Sequence, residues 1–246
     1  MKEFPLKSLL PFCIAVLTIL ACSTLSFPGR SGNDNNAGNS AQSAQPLAGN
    51  YFQENFNGNL NGWSHFVVDG KSHLVLEKDP SNMSLGVQDG NLLFNLQGKN
   101  EWVYSIYTAQ TYDDVRINVS ANNSGVNDNN ISLVCRYSPG KGWYEFNVAN
   151  NGLYNIYFAQ KSSDNKIIYS PIADGGSNKV KQGKNTNLYS VICQGHTLTL
   201  YINNIETRQI DDNQYMLANG NIGLSVSSFN EVPAVVGFDW VKVSQP

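Results

Sequence analysis

Charge is scarce in this chain: Asp, Glu, Lys and Arg supply 14% of 246 residues, and the formal net charge is −3. No basic run or Lys/Arg stripe occurs, so a nucleic-acid partner would find no cations to neutralise its phosphates. His65, His73 and His196 stand alone, without the His-x-His or His-x₃-His spacing that would start a zinc centre. There is no Gly-x-Ser-x-Gly nucleophile elbow and no phosphate-cradling glycine loop. The chain also lacks a convincing amphipathic helix, since only Asp211–Leu217 could form a helical turn, and it has no internal repeat of fixed period. The apolar run Leu9–Ala21 is too short to cross a bilayer comfortably.

What is present from Asn50 onward is aromatic, β-branched, Gly- and Asn-rich sequence in short runs at roughly ten-residue spacing. The runs are Tyr51–Phe56, Trp63–Val68, His73–Glu77, Ser84–Val87, Asn91–Leu96, Trp102–Tyr107 and Asp114–Ala121, then a central block. After it come Lys166–Tyr169, Asn187–Cys193, Thr197–Ile202, Glu206–Ile210, Asn221–Ser227 and Val235–Val243. Turn pairs such as Asp69-Gly70, Asp89-Gly90, Gln194-Gly195 and Asn219-Gly220 separate them. Many short strands with this punctuation specify an all-β sandwich or barrel, and one domain over residues 50–246 is ordinary for that class.

The central block, Ile131–Phe158, reads as a three-stranded antiparallel meander broken at Ser138-Pro139-Gly140-Lys141-Gly142 and at Asn150-Asn151-Gly152. Period-two alternation puts Ile131, Leu133, Cys135 and Tyr137 on one face of its first strand, and Ser132, Val134 and Arg136 on the other. In the second strand Tyr144, Phe146 and Val148 oppose Trp143, Glu145 and Asn147; in the third, Tyr154, Ile156 and Phe158 oppose Leu153, Asn155 and Tyr157. One face is core. The other mixes aromatic and polar groups, and Arg136, Trp143, Glu145, Asn155 and Tyr157 form the candidate ligand-binding surface. Rings offer a stacking plane for the C–H face of a sugar, while amides and charges meet its hydroxyls. The same pattern also suits an ordinary sandwich exterior, where aromatic cross-strand pairs stabilise the sheet by roughly 0.2–1 kcal/mol each. Trp63, Phe238 and Trp240 lie on segments that fasten the first and last strands and are expected in the core.

At the amino end, Lys2 and Lys7 precede the apolar run, which closes on Ile19-Leu20-Ala21-Cys22. This boundary resembles a bacterial lipobox. That resemblance implies a signal peptide over 1–21, acylation of Cys22, and export to a bacterial cell membrane or outer membrane; an ordinary secretory signal cleaved a few residues later, with Cys22 incidental, is the alternative. Residues 22–49 are Ser-, Asn-, Gly-, Ala- and Gln-rich, too polar to fold alone, and suit a flexible tether of roughly 30 Å. Of four cysteines, Cys13 leaves with the signal and Cys22 carries lipid, so Cys135 and Cys193 are left as an even pair. Both have apolar same-face neighbours, and a disulfide between them is expected if their strands are neighbours. Two buried thiols are the alternative.

Three sets of residues together resemble the concanavalin A-like lectin/glucanase superfamily, and within it laminin-G-like and 3-keto-disaccharide-hydrolase-type domains of bacterial exported proteins. They are Glu54-Asn55-Phe56 with Gly62-Trp63; Leu133–Tyr137 with Trp143–Phe146 and Gly152-Leu153-Tyr154; and Leu198–Asn203 running to Gly223-Leu224 and Phe238–Val241. The resemblance implies a jelly-roll sandwich of two curved antiparallel sheets whose concave face often holds sugar. It does not imply catalysis. Family 16 glycosidases of this fold carry Glu-x-Asp-x-(x)-Glu on one strand face. Here Asn147 stands two residues after Glu145, where the aspartate would be, and the adjacent pairs Asp113-Asp114 and Asp211-Asp212 point apart on a strand. Asn127-Asp128-Asn129-Asn130 has oxygens that calcium could use, but only one carboxylate, and reads as a polar loop tip. No cofactor is expected. The sequence thus leads to an anchored, non-catalytic carbohydrate-binding or adhesion module, with a glycan- or 3-keto-sugar-acting hydrolase and a cell-envelope spacer as alternatives.

Overall fold

The computed structural model describes residues 51–246; the signal peptide, Cys22 and tether expected over residues 1–49 lie outside them. The described residues form fifteen strands joined by turns and loops. They are β1 Phe52–Glu54, β2 Trp63–Asp69, β3 Met83–Gln88, β4 Asn91–Leu96, β5 Glu101–Tyr112, β6 Val115–Asn123, β7 Asn129–Ser138, β8 Gly142–Ala149, β9 Leu153–Lys161 and β10 Ile167–Gly176. They continue with β11 Thr186–Gln194, β12 Thr197–Ile202, β13 Ile205–Asp211, β14 Gly220–Ser228 and β15 Ala234–Ser244. An eight-stranded sheet has the order β13-β12-β11-β6-β15-β4-β3, with β1 beside β15, and a seven-stranded sheet has the order β10-β9-β8-β7-β14-β5-β2. Every pairing is antiparallel.

Alternation decides the core. Leu133, Phe146, Ile156 and Leu224 from the seven-stranded sheet meet Phe94, Ile117, Val191, Leu200 and Phe238 from the eight-stranded one. Cys135 and Cys193 are bonded, with Cα atoms 6.8 Å apart. Their strands, β7 and β11, belong to different sheets, so the link crosses the sandwich rather than joining in-sheet neighbours.

Three local expectations change. Asp211–Leu217 forms no helix. Instead the buried Asp212 carboxylate accepts the N–H groups of Gln214, Tyr215 and Met216 and the Tyr144 hydroxyl, which holds the segment as a compact loop. Burial pushes the Asp212 pKa up, but those four donors outweigh it and hold the carboxyl below its ordinary value. Trp240 lies outside both buried clusters, because the register of β15 shifts between Phe238 and Trp240. Phe238 does enter the core, and Trp63 packs against it partly buried. His73–Glu77 is not a regular strand: it makes one isolated bridge to β2, Val75 to Val68, and another to the β9–β10 connection, Leu74 to Lys166.

Candidate functional site

The face of the seven-stranded sheet turned away from the core carries most of the candidate surface. Tyr144, Phe146 and Val148 enter the core, so Trp143, Glu145 and Asn147 point the other way. Register places Glu145 opposite Tyr157 and Asn147 opposite Asn155. Trp143, Glu145, Asn155 and Tyr157 therefore share one face, as the alternation predicts.

Arg136 does not join them. It sits at a β-bulge with φ of 55°, where the β7–β8 register slips between Cys135 and Ser138. The extra residue reverses the pleat beyond it. Tyr137 moves to the outer face, 5.4 Å from the Trp143 ring. Arg136 turns instead to one end of the sandwich, with 2% of its surface exposed. There its guanidinium donates to the carbonyls of Asp113 (3.1 Å), Gly195 (2.7 Å) and Leu217 (2.6 Å), and lies 3.3 Å from the Asp114 carboxylate. It clamps three connecting segments together, buried apart from the face that carries Trp143, Glu145, Asn155 and Tyr157.

Much of the outer face is a second core. Val68, Tyr104, Ile106, Val134, Trp143 and Ala159 are buried there, with Phe66, Trp102, Tyr137 and Tyr169 packed against them. The packing requires strong curvature. β5 and β10 stand five strand steps apart, roughly 24 Å in a flat sheet, yet the hydroxyls of Tyr104 and Tyr169 meet at 2.8 Å. The sheet curls toward this face until its two sides touch across it. The segment Gly70–Leu76 then straps the edges together: Leu76 N–H donates to Val67 O on β2, Val75 N–H to Asn165 O, and Ile167 N–H to His73 O on the β10 side. Gly70 lies directly on Trp102, and a Cβ there would fall 2.6 Å from the indole nitrogen. The His73 ring packs on Trp102 and Tyr169 at 5.1 and 5.4 Å.

Glu145 lies beneath this closure, 2% exposed. Its carboxylate accepts from Ser132 Oγ (2.8 Å), Tyr104 Oη (2.9 Å) and Trp143 Nε1 (3.2 Å). Asn147 donates on to Ser132 Oγ, and Asn130 to Asn147. Burial pushes the Glu145 carboxyl above its ordinary value, and the donors around it recover only part of the loss. An acid whose folded pKa is raised holds its proton more tightly when folded. That stabilisation is complete below the unfolded value of 4.5 and is lost as pH rises through the folded pKa. Glu145→Gln keeps the shape and removes the ionisation. Its melting temperature, relative to the native protein, should therefore be more favourable at pH 7 than at pH 4. An offset independent of pH would show that Glu145 does not titrate differently in the folded state.

The rest of the face is open. Asn155 and Tyr157 are partly exposed, and register sets the exposed Asp174 of β10 opposite Asn155. Among the described residues neither the Asn155 amide nor the Tyr157 hydroxyl makes a hydrogen bond within the protein, which leaves both polar groups free for a ligand. The second carboxylate of a family 16 motif has no counterpart on this strand, where Ala149 follows Asn147 at the next same-face position. Of the Asn127–Asn130 side-chain oxygens, Asp128 Oδ2 accepts the N–H groups of Asn230 and Glu231 and Asn127 Oδ1 accepts that of Gly183, while Asn129 Oδ1 is buried without a partner among the described residues.

Sequence reading missed Tyr104, Tyr169 and Asp174. A signal for the first existed: β5 carries Trp102, Tyr104 and Ile106 on one face and Val103 on the other. A strand apolar on both sides announces burial on both sides.

No protein-family model and no curated protein matches the sequence. Solved structures do. The chain resembles a Bacteroides ovatus mixed linkage glucan GH16 in complex with a G4G4G3G product, at 14% identity and a TM-score of 0.58 over 78% of this chain and 99% of that one. It also resembles the Bacillus licheniformis β-glucanase, at 17% identity and a TM-score of 0.56 over 81% of this chain and 100% of that one. A third likeness is LamAcat from Zobellia galactanivorans, at 11% identity and a TM-score of 0.52, covering 79% and 96% respectively. With the two antiparallel sheets described above, these likenesses establish that the chain has the concanavalin A-like jelly-roll fold.

Proposed function

We propose that this is an exported, lipid-anchored, non-catalytic carbohydrate-binding module that uses the open part of its curved face. The burial of Glu145 carries the reading. Glycoside hydrolysis needs two carboxyl groups flanking a bond, with room for a sugar and a water. Here the one carboxylate of the β8 triplet is sealed by Tyr104, Trp143 and Ser132, and the neighbouring same-face positions carry Asn147 and Ala149. A neutral saccharide suits what stays accessible, a phenol ring at Tyr157 beside an unspent amide at Asn155. The solved relatives of this fold include proteins described with glucan-derived ligands, which favours a glycan over other neutral polar partners. The buried Cys135–Cys193 link supports export, since such bonds persist in oxidising compartments. Anchoring through Cys22 rests on the Ile19–Cys22 boundary.

One experiment examines both parts. Membranes from cells expressing the full chain are titrated with labelled glucan oligosaccharides, beside variants Tyr157→Ala and Cys22→Ser. Tyr157→Ala should weaken binding about tenfold or more, and Cys22→Ser should move undiminished binding into the soluble fraction. If no oligosaccharide binds, the module reading fails. If one is bound and cleaved, the protein is the hydrolase instead.

A further inference from the structure

We propose a second saccharide subsite at the edge of the sandwich, in the depression between the end of β10 and the start of β13. This rests on the carbohydrate-binding reading and extends it. Residues Gly176–Lys179 form one wall and Ile205–Thr207 the other, around a volume of about 460 Å³, within the range of small-ligand sites. The walls come from the edge strands of different sheets; one bond joins them and a second ties the β10 wall to the β8–β9 turn. Asn203 Nδ2, in the β12–β13 turn, donates to Lys179 O at 2.6 Å, and Ser177 N–H donates to Gly152 O at 2.8 Å. The backbone of the β10 wall is therefore fixed, while the Lys179, Ile205 and Glu206 side chains stand exposed.

Its chemistry fits a neutral sugar unit. Ile205 is 49% exposed and offers an apolar surface at the rim. Lys179 has no ion-pair partner among the described residues, so its ammonium is free to donate. The Glu206 carboxylate, placed by the Tyr201 hydroxyl at 3.2 Å, can accept. One cation and one anion leave no net charge to select a charged ligand, while together they supply donors and acceptors for vicinal hydroxyls.

Continuity with the curved face sets the role. Gly176 pairs with Leu153, and Leu153, 57% exposed, shares its strand face with Asn155 and Tyr157. A glycan lying on Tyr157 and Asn155 would pass over Leu153 and reach this depression without leaving the surface. A disaccharide would occupy the first part alone; a longer chain would occupy both.

The test uses the full-length protein and mixed-linkage glucan di- and hexasaccharides, with Kd measured by calorimetry. Lys179→Ala and Ile205→Ala change exposed side chains. Each should weaken hexasaccharide binding by about five- to tenfold, the size of one lost polar or apolar contact, and leave the disaccharide unchanged. Tyr157→Ala should weaken both. Hexasaccharide binding unaffected by Lys179→Ala and Ile205→Ala but lost in Tyr157→Ala would overturn the second subsite and leave the module reading intact. Failure of the native protein to bind either oligosaccharide would overturn both.

Discussion

Replacing Trp143 by alanine should cost about 3–5 kcal/mol of folding free energy, the range for removing a buried aromatic. The side chain is 3% exposed. Its ring lies 5.9 Å from Tyr104, 5.4 Å from Tyr137 and 6.1 Å from Phe66, and its indole N–H is one of three donors holding Glu145. The substitution opens a void in the outer-face cluster and takes a donor from a buried carboxyl, so transfer, cavity and desolvation costs act together. For a domain of this size the melting temperature should fall by on the order of 10 °C. Trp143→Phe should recover most of the packing but not the indole bond. A ligand-platform role for Trp143 would produce the opposite: unchanged denaturant midpoint and lost binding. Urea melts of both variants decide between them, and a loss under about 1 kcal/mol for the alanine form would refute the packing assignment.

The second large effect belongs to the inter-sheet disulfide. Cys135 and Cys193 are separated by 58 positions in sequence, and in the chain-entropy model closing a loop of that length stabilises by about 4 kcal/mol. Both cysteines are fully buried in the main core. The double variant Cys135→Ala, Cys193→Ala leaves no unpaired polar group, so its cost should be mostly the restored freedom of the unfolded chain. We expect a drop of about 3–4 kcal/mol, with the native protein resisting mild reductants until it is partly unfolded. An equal midpoint for the native protein and the double variant would mean that the bond contributes nothing. Since β7 and β11 lie in different sheets, the same variant also reports how much the sandwich relies on the crosslink to stay closed.

The two effects concern different layers. The disulfide ties the main core, between the sheets, while Trp143 belongs to the layer that fills the curved face. In many sandwiches the second face of each sheet is wet. Here the strap and the aromatic residues of β2, β5, β8 and β10 give the seven-stranded sheet cover on both sides over part of its area, and its β9–β10 margin stays open.

Much of this architecture was legible in the residues themselves. Strand positions followed from period-two alternation and turn pairs, because side chains on a pleated strand must alternate sides whatever the strand packs against. The same rule assigned Tyr144, Phe146 and Val148 to the core and Trp143, Glu145 and Asn147 to the other face. Parity of the remaining cysteines supported a bond, although not that it would span two sheets. Only the tertiary structure decided what lies above the second face. Alternation says which way Trp143 points, but it says nothing of how far a sheet curls or which distant segment closes over it. The Tyr104–Tyr169 contact joins residues 65 apart, and the strap comes from a stretch that alternation alone reads as one more strand. Arg136 left its expected face for an equally non-local reason. A single left-handed residue at a bulge reverses the pleat, and the carbonyls of Asp113, Gly195 and Leu217 that reward the reversal come from three separate parts of the chain. Local sequence determines orientation because pleat geometry is local; exposure depends on long-range curvature and closure, so it was settled only when the sheet folded over itself.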